Sequence, residues 1–320
     1  MHITLAPMEG VVDSLMRDML THVGGFDLCV TEFIRVVDQL LPKRVFYRMC
    51  PELANGARTP AGTPVKIQLL GQDPDWLAEN AARAIELGSH GVDLNFGCPA
   101  KTVNKSKGGA VLLKEPESIF QIVKKVRSAV PQGNIVSAKM RLGFDDCSLA
   151  IENAQAIANA GANLLVIHAR TKVDGYKPPA YWDWIAKIKQ SVDINIVANG
   201  EIWSHADALN CQAQSTCENI MLGRGALALP NLALVAKGLA APMDWDTVRQ
   251  LLIRYSGYEL YSDKGKYFPN RLKQWLGYLS RQYPEAEVLF RQIRTLHQAK
   301  DILQRIEAYP AECASSLSDE

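Results

Sequence analysis

Residues 93 to 110 read Asp-Leu-Asn-Phe-Gly-Cys-Pro-Ala-Lys-Thr-Val-Asn-Lys-Ser-Lys-Gly-Gly-Ala. An amide (Asn95), a thiol (Cys98) and three lysines (Lys101, Lys105, Lys107) follow directly on a short apolar run, Gly91-Val92-Asp93-Leu94. Packing alone gives no reason for that choice. A thiol of ordinary pKa, about 8.5, is mostly protonated at neutral pH and can give up a proton. Cys98 is therefore the residue of this stretch most open to chemistry. Asn95 can hydrogen-bond a substrate, and Lys101 to Lys107 read as a mobile basic loop. Most free cysteines are small buried hydrophobes. Cys29, inside a strand pattern, and Cys211 and Cys217, flanking a helix-to-strand turn, fit that description.

Polar groups recur at the ends of the other apolar runs. Pro7, Met8 and Glu9 follow the first, Arg35 the second, Gln68 the third. Lys139 lies within Val136-Ser137-Ala138-Lys139-Met140. A lysine in a buried strand is costly unless it meets an anion, and the N1–C2=O edge of a reduced flavin is one such partner. A lysine on a polar face is the plainer alternative. His168 and Arg170 end the sixth run, and the charge of that histidine depends on the anion nearby. Asn199-Gly200-Glu201 and Gly223-Arg224-Gly225 end the last two. Unblocked backbone N–H groups and a guanidinium beside helix starts suit a phosphate monoester, although such glycines also simply make tight turns.

These groups must be positioned by the elements that carry them. Strands are expected at Ile3-Ala6, Leu28-Thr31, Val65-Leu69, Val92-Asn95, Val136-Arg141, Leu164-His168, Ile194-Ala198 and Asn219-Leu222, with amphipathic helices such as Trp76-Leu87 and Ile151-Ala160 between them. Strands buried on both faces and followed by crossovers predict a parallel sheet. Repeated over residues 1–241, the pattern predicts an α/β fold, a (β/α)8 TIM barrel, whose C-terminal strand ends carry the active site. An open doubly wound sheet is the alternative, but no Gly-x-Gly-x-x-Gly follows the first strand. After Ala241-Pro242 the strand-like runs stop. Residues 246–262, 268–281 and 286–307 read as helices, broken at Lys264-Gly265 and Pro284, so 242–310 form a small C-terminal helical-bundle domain. It carries eleven Lys/Arg against eight Asp/Glu. Residues 311–320 read as a disordered tail.

Composition excludes several classes. The chain of 320 residues is 48% hydrophobic with a net charge of +1, enough for a full core and silent on nucleic acid. No run of about 18 apolar residues suggests a membrane span, and the N-terminus lacks a signal-peptide pattern. The 7 cysteines are scattered without a Cys-x-x-Cys pair. That argues against disulfides and a metal site and for a cytoplasmic protein. With no apolar stripe left over, a monomer is expected.

The segments Ala6-Pro7-Met8-Glu9-Gly10, Gln68-Leu69-Leu70-Gly71, Asp93-Leu94-Asn95-Phe96-Gly97-Cys98-Pro99, Lys139-Met140-Arg141-Leu142-Gly143, His168-Ala169-Arg170-Thr171, Asn199-Gly200-Glu201 and Gly223-Arg224-Gly225 together resemble the tRNA-dihydrouridine synthases. The cysteine loop is the most specific of them, and the resemblance runs to about residue 310. Thr31 to Asp38 and Arg271-Leu272-Lys273-Gln274-Trp275-Leu276 look like the bacterial C subfamily, which reduces uridine 16 in the D-loop of tRNA. The resemblance implies bound FMN, NADPH as electron donor and Cys98 as the proton donor. It implies FMN contacts from Pro7, Met8, Glu9, Gln68, Lys139, His168, Asn199, Gly200, Glu201, Gly223 and Arg224. A uridine stacked in folded tRNA must be turned out to reach the flavin, and the candidates for holding the tRNA are Arg35, Tyr176, Arg271, Lys273, Tyr278 and Arg294, with Asn95 on the uracil edge. Two other readings stay open on sequence: a flavin barrel oxidoreductase acting on a small molecule such as free pyrimidine, and a tRNA-binding folding helper without catalysis.

Overall fold

The computed structural model of the chain describes residues 1–260 and 268–308. Eight parallel strands close into a barrel in chain order. They are β1 (Ile3–Leu5), β2 (Leu28–Arg35), β3 (Val65–Leu70), β4 (Val92–Phe96), β5 (Val136–Arg141), β6 (Leu164–His168), β7 (Asn195–Asn199) and β8 (Asn219–Leu222). The ring closes where Ile3 of β1 pairs with Ile220 of β8. β2 runs further than the expected Leu28-Thr31. Its register on β3 shifts between Val30 and Phe33, a bulge that absorbs extra residues and lets pairing continue to Arg35.

The helices between and just after the strands are α1 (Ser14–Val23), α2 (Lys43–Met49), α3 (Pro74–Glu86), α4 (Lys101–Lys105), α5 (Pro116–Ala129), α6 (Ala150–Asn159), α7 (Trp182–Lys189), α8 (His205–Ser215), α9 (Arg224–Ala228) and α10 (Leu232–Ala236). Local chemistry sets their starts. The Asp13 side chain caps Met16 N–H, Asp73 caps Asp75 and Trp76 ahead of Pro74, and Ser204 caps Asp207. Each satisfies backbone donors that the first turn leaves open. The expected loop from Lys101 to Lys107 is instead a short helix, α4, for most of its length. Asn104 ties it down by donating to Cys98 O (3.1 Å) and Ala100 O (2.7 Å) while accepting from Val111 N–H (2.8 Å).

Alternation along the strands sorts side chains into two layers. Ile3, Leu5, Ile67, Leu69, Leu94, Ala138, Met140 and Ile167 join the main core with the helices. The barrel interior is divided. On the side of β1, β2 and β6–β8 it holds a small separate apolar cluster of Ala6, Val30, Val166, Val197 and Met221. On the side of β3, β4 and β5 it holds Lys66, Gln68, Asp93 and Ser137, all buried.

After the barrel come α11 (Trp245–Leu260), α12 (Phe268–Leu279), α13 (Pro284–Ile293) and α14 (Ala299–Ala308). The single helix expected over 286–307 is two. Buried Ala286, Leu289 and Ile293 are followed by no buried apolar residue until Ile302 and Ile306, and residues 294–298, exposed except for half-buried Leu296, separate the two helices. Trp275 of α12 is 2% exposed, and its indole N–H donates to Leu227 O at 3.1 Å, docking α12 onto α9. The break expected at Lys264-Gly265, with Lys266, and the expected tail 311–320 lie outside the described residues.

Candidate active site at the open end of the barrel

The C-terminal strand ends surround a cavity of about 490 Å³, the size of a small-molecule or cofactor site. Pro7, Met8 and Glu9 line it after β1, Gln68 on β3, Lys139 on β5, and His168 at the end of β6. Asn199, Gly200 and Glu201 come from the end of β7, and Gly223 and Arg224 from the end of β8. Cys98, Asn95, Tyr176 and Tyr278 line the cavity as well. Four residues expected to meet RNA lie outside it. Arg35 is exposed and donates to Ser106 Oγ in the turn after α4. Arg271 pairs with Asp13 at 2.6 Å and lines a second cavity with Arg48, Asn270 and Gln274. Lys273 donates to Leu296 O at 2.6 Å, inside the helical segment. Arg294 caps α13, exposed.

Cys98 is held by a turn that begins in the strand. The Asn95 side-chain oxygen accepts from Gly97 N–H and Cys98 N–H, each at 2.9 Å. That orientation is fixed from below. Asn95 Nδ2 donates to Gln68 Oε1 (2.8 Å), and Gln68 Nε2 donates to Asp93 Oδ2 (2.7 Å). The other Asp93 oxygen accepts from the Ser137 hydroxyl, which accepts in turn from Lys66 Nζ at 2.6 Å. Register places these groups side by side, since Gln68 pairs with Asp93 and Asp93 with Ser137. A carboxylate only accepts, so Gln68 presents its amino group to Asp93 and its carbonyl to Asn95, and Asn95 has its oxygen left for the loop.

Charge is arranged to suit an anion. Lys139 is half-buried and donates to Asn199 Oδ1 at 3.2 Å. Burial and the neighbouring Arg141 bring its pKa down to about 8, with Asp93 working the other way. Burial, then Arg141 and Lys139, hold His168 well below its ordinary value, so the imidazole is neutral at neutral pH. Burial pushes the Cys98 thiol up, so it is a proton donor at rest rather than a thiolate. Cys29, Cys50 and Cys211 are buried and pushed up to about 12 by that burial. Half-buried Cys98, by contrast, lines the cavity.

At the far wall the glycine turns pack tightly. Gly200 has φ +122°, and a Cβ there would come within 2.9 Å of His168 Cδ2. A Cβ on Gly225 would come within 2.1 Å of Ile202 O. Glu201 bonds to Arg170, lies 3.5 Å from Arg224, and accepts from the Trp203 indole N–H at 3.0 Å. Burial alone would raise the Glu201 pKa, but the Arg170 and Trp203 hydrogen bonds outweigh it and hold the carboxyl below its usual range. Arg170 Nη1 is buried with no hydrogen-bond partner among the described residues.

Lys66, Ser137 and Trp203 are not among the site residues expected from sequence. Lys66 carried a usable signal. It stands two residues before Gln68 in a buried strand, the same pattern that singled out Lys139. Trp203 offered less, being one aromatic residue just beyond a glycine turn. Among the described residues, no group of three His, Cys, Asp or Glu could hold a metal ion, and no helix is long and apolar enough to cross a membrane.

Comparison with known proteins agrees with this architecture. The tRNA-dihydrouridine(16) synthase of Shewanella oneidensis is 56% identical over 307 residues, 96% of this chain and 98% of that protein. The proteins of the same name from Vibrio cholerae and Escherichia coli are 54% identical over 310 residues (97% and 96%) and 53% identical over 313 residues (98% and 99%). Among solved structures, an old yellow enzyme homologue from Zymomonas mobilis matches with a TM-score of 0.51 at 12% identity, over 76% of this chain and 90% of that one. A histamine dehydrogenase from a Rhizobium species matches with 0.56 at 14%, over 74% and 46%. At such identities only the fold is shared. A family model described as dihydrouridine synthase (Dus) matches residues 4–314. With a thiol, an ammonium and a guanidinium gathered at one mouth of the barrel, and relatives this similar along almost its whole length, the chain belongs to the dihydrouridine synthase family.

Proposed function

We propose that this protein reduces a uridine in the D-loop of tRNA, at position 16, to 5,6-dihydrouridine, with FMN as its bound flavin and NADPH as electron source. The observation that carries the reading is the Cys98 thiol, held by its own backbone at the rim of a cavity whose walls supply Lys139 and Arg224. The names and near-complete coverage of the relatives support the substrate.

The residues present fit a flavin mononucleotide. Lys139 suits the N1–C2=O edge of an isoalloxazine, and Pro7, Met8, Glu9, Gln68 and His168 would border the ring. Arg224 and the turns at Asn199-Gly200-Glu201 and Gly223 suit a phosphate. Arg170 Nη1 is an unspent buried donor, and Nη2 of the same guanidinium bonds to Glu201 in that corner. A bound, reduced FMN would supply hydride for C6 of uracil. Addition at C6, conjugated to the C4 carbonyl, leaves an enolate on the pyrimidine. Asn95 would hold the uracil edge, and Cys98 would place its proton on C5. The raised thiol pKa keeps that proton in place at neutral pH.

A stacked uridine must first be turned out of the RNA, at a cost of a few kcal/mol. Tyr176 and Tyr278 at the cavity wall, and Arg35, Arg271, Lys273 and Arg294 outside it, are the groups we assign to offsetting that cost. In this reading residues 1–241 form the flavin-binding catalytic unit and 242–310 the RNA-contacting unit of a cytoplasmic monomer. Cys98→Ala should stay yellow with bound FMN yet lose about 10²- to 10⁴-fold in dihydrouridine formation. Undiminished turnover would refute the role of the thiol. Independently, tRNA from cells lacking the protein should lack dihydrouridine at position 16 alone.

A further inference from the structure

Five side chains from five separate segments alternate cation and ring, four of them (Arg141, Tyr176, Arg224 and Trp203) lining the cavity and the fifth, Arg281, behind Trp203. The Arg141 guanidinium, at the end of β5, lies 5.1 Å from the centre of the Tyr176 ring. Arg224, the first residue of α9, lies 4.7 Å from that ring and 5.1 Å from the Trp203 ring. Arg281, in the turn after α12, lies 4.1 Å from the Trp203 ring. Trp203 is anchored at its edge by its hydrogen bond to Glu201, the carboxylate that also meets Arg170 and Arg224. Of these groups only Arg281 comes from the helical segment.

This arrangement has two physical consequences. Arg224 is a long side chain whose ordering normally costs rotamer entropy, and contact with two rings has already fixed its guanidinium. Its edge N–H groups keep the planar geometry that suits an oxyanion. Two guanidiniums, Arg170 and Arg224, share one carboxylate, Glu201, and Arg224 also feels the positive charge of Arg170 and Arg281, so an anion there relieves their mutual repulsion.

We propose that Trp203 and Arg281 are positioning residues of the cofactor's phosphate site, and that through them phosphate affinity depends on how α12 is seated. The proposal rests on the flavin reading above and extends it to the helical segment. Coupling of this kind is reciprocal. If α12 strengthens phosphate binding, an occupied phosphate site steadies α12.

The test uses the full-length protein stripped of flavin and titrated with FMN and with riboflavin, which lacks the phosphate. Arg281→Ala should weaken FMN binding about two- to five-fold, the range of a partly exposed cation–π contact, and leave riboflavin binding unchanged. Arg281→Lys, which keeps the charge and loses the planar stack, should fall between. Hydrogen exchange across Phe268–Leu279 should slow on FMN addition to the wild-type protein and slow less in Arg281→Ala. Equal FMN affinity in the wild-type protein and Arg281→Ala would overturn the proposal and leave the flavin reading standing. Parallel weakening of riboflavin would overturn the link to phosphate. A wild-type protein that binds neither ligand would remove the flavin reading, and this proposal with it.

Discussion

Lys139 is the residue whose state sets what the cavity can hold. With its pKa brought down to about 8, it is charged below that pH and neutral above it. Affinity for an anionic ligand at its side of the cavity should therefore be full near pH 7 and fall as pH rises through about 8. FMN dissociation constants between pH 7 and 9 would measure this, and Lys139→Met should flatten the curve at a weaker level. The sign for stability is the reverse. In the unfolded chain a lysine keeps its proton to about 10.4. Between about 8 and 10.4 the unfolded state thus binds more protons, so the contribution of Lys139 to stability rises with pH. The difference in melting temperature between the wild-type protein and Lys139→Met should follow that trend.

At the scale of elements, the three adjacent strands β3, β4 and β5 carry the polar half of the barrel interior. Lys66 and Asp93 are 3% and 1% exposed, and each is tolerable only because Ser137 joins them and Gln68 takes the remaining oxygen. Removing one member leaves an uncompensated buried charge, worth about 3–5 kcal/mol, whereas replacing both by apolar groups of similar volume is often close to neutral. Asp93→Leu should thus be strongly destabilising in urea unfolding, and Lys66→Met/Asp93→Leu much less so. Strict additivity of the two single changes would show that the strands are not coupled here. The double variant should still lose turnover, because Gln68 and Asn95 are no longer oriented and Asn95 holds the turn under Cys98.

For the molecule as a whole, the question is how the helices after residue 241 are fastened to the barrel. Trp275 fills the join. It meets Tyr255 edge-on at 5.3 Å and donates to Leu227 of α9, the helix that opens with Arg224. Trp275→Ala should cost about 3–5 kcal/mol. Trp275→Phe, which keeps most of the packing and leaves Leu227 O without its donor, should cost about 1–3 kcal/mol. On the reading proposed here, the alanine variant should weaken tRNA binding more than flavin binding, measured by filter retention and by flavin absorbance. Equal loss of both would mean that the two ends of the molecule do not divide the work.

The order of strands, the barrel and the clustering of polar groups at its mouth were legible in the chain because each depends on local pattern. An apolar run with a polar end reads the same before and after folding, and the chemistry of Cys98, Lys139 and the glycine turns travels with the residues. Closure of the ring then carries all eight strand ends to one place, which explains why the residues expected at the cofactor all reach one cavity. Tertiary structure alone decided which groups touch across strands or segments. Lys66, Ser137 and Asp93 come from three strands, and only barrel register places them in one chain of hydrogen bonds. Arg281 lies 78 residues beyond Trp203 in sequence, and only the docking of α12 on α9 sets its charge against that ring. The division between α13 and α14 also depended on burial rather than propensity, since the sequence between them contains no strong helix breaker. A sequence specifies what each residue can do, while distance, burial and the partner that satisfies a buried charge exist only once the chain has closed on itself.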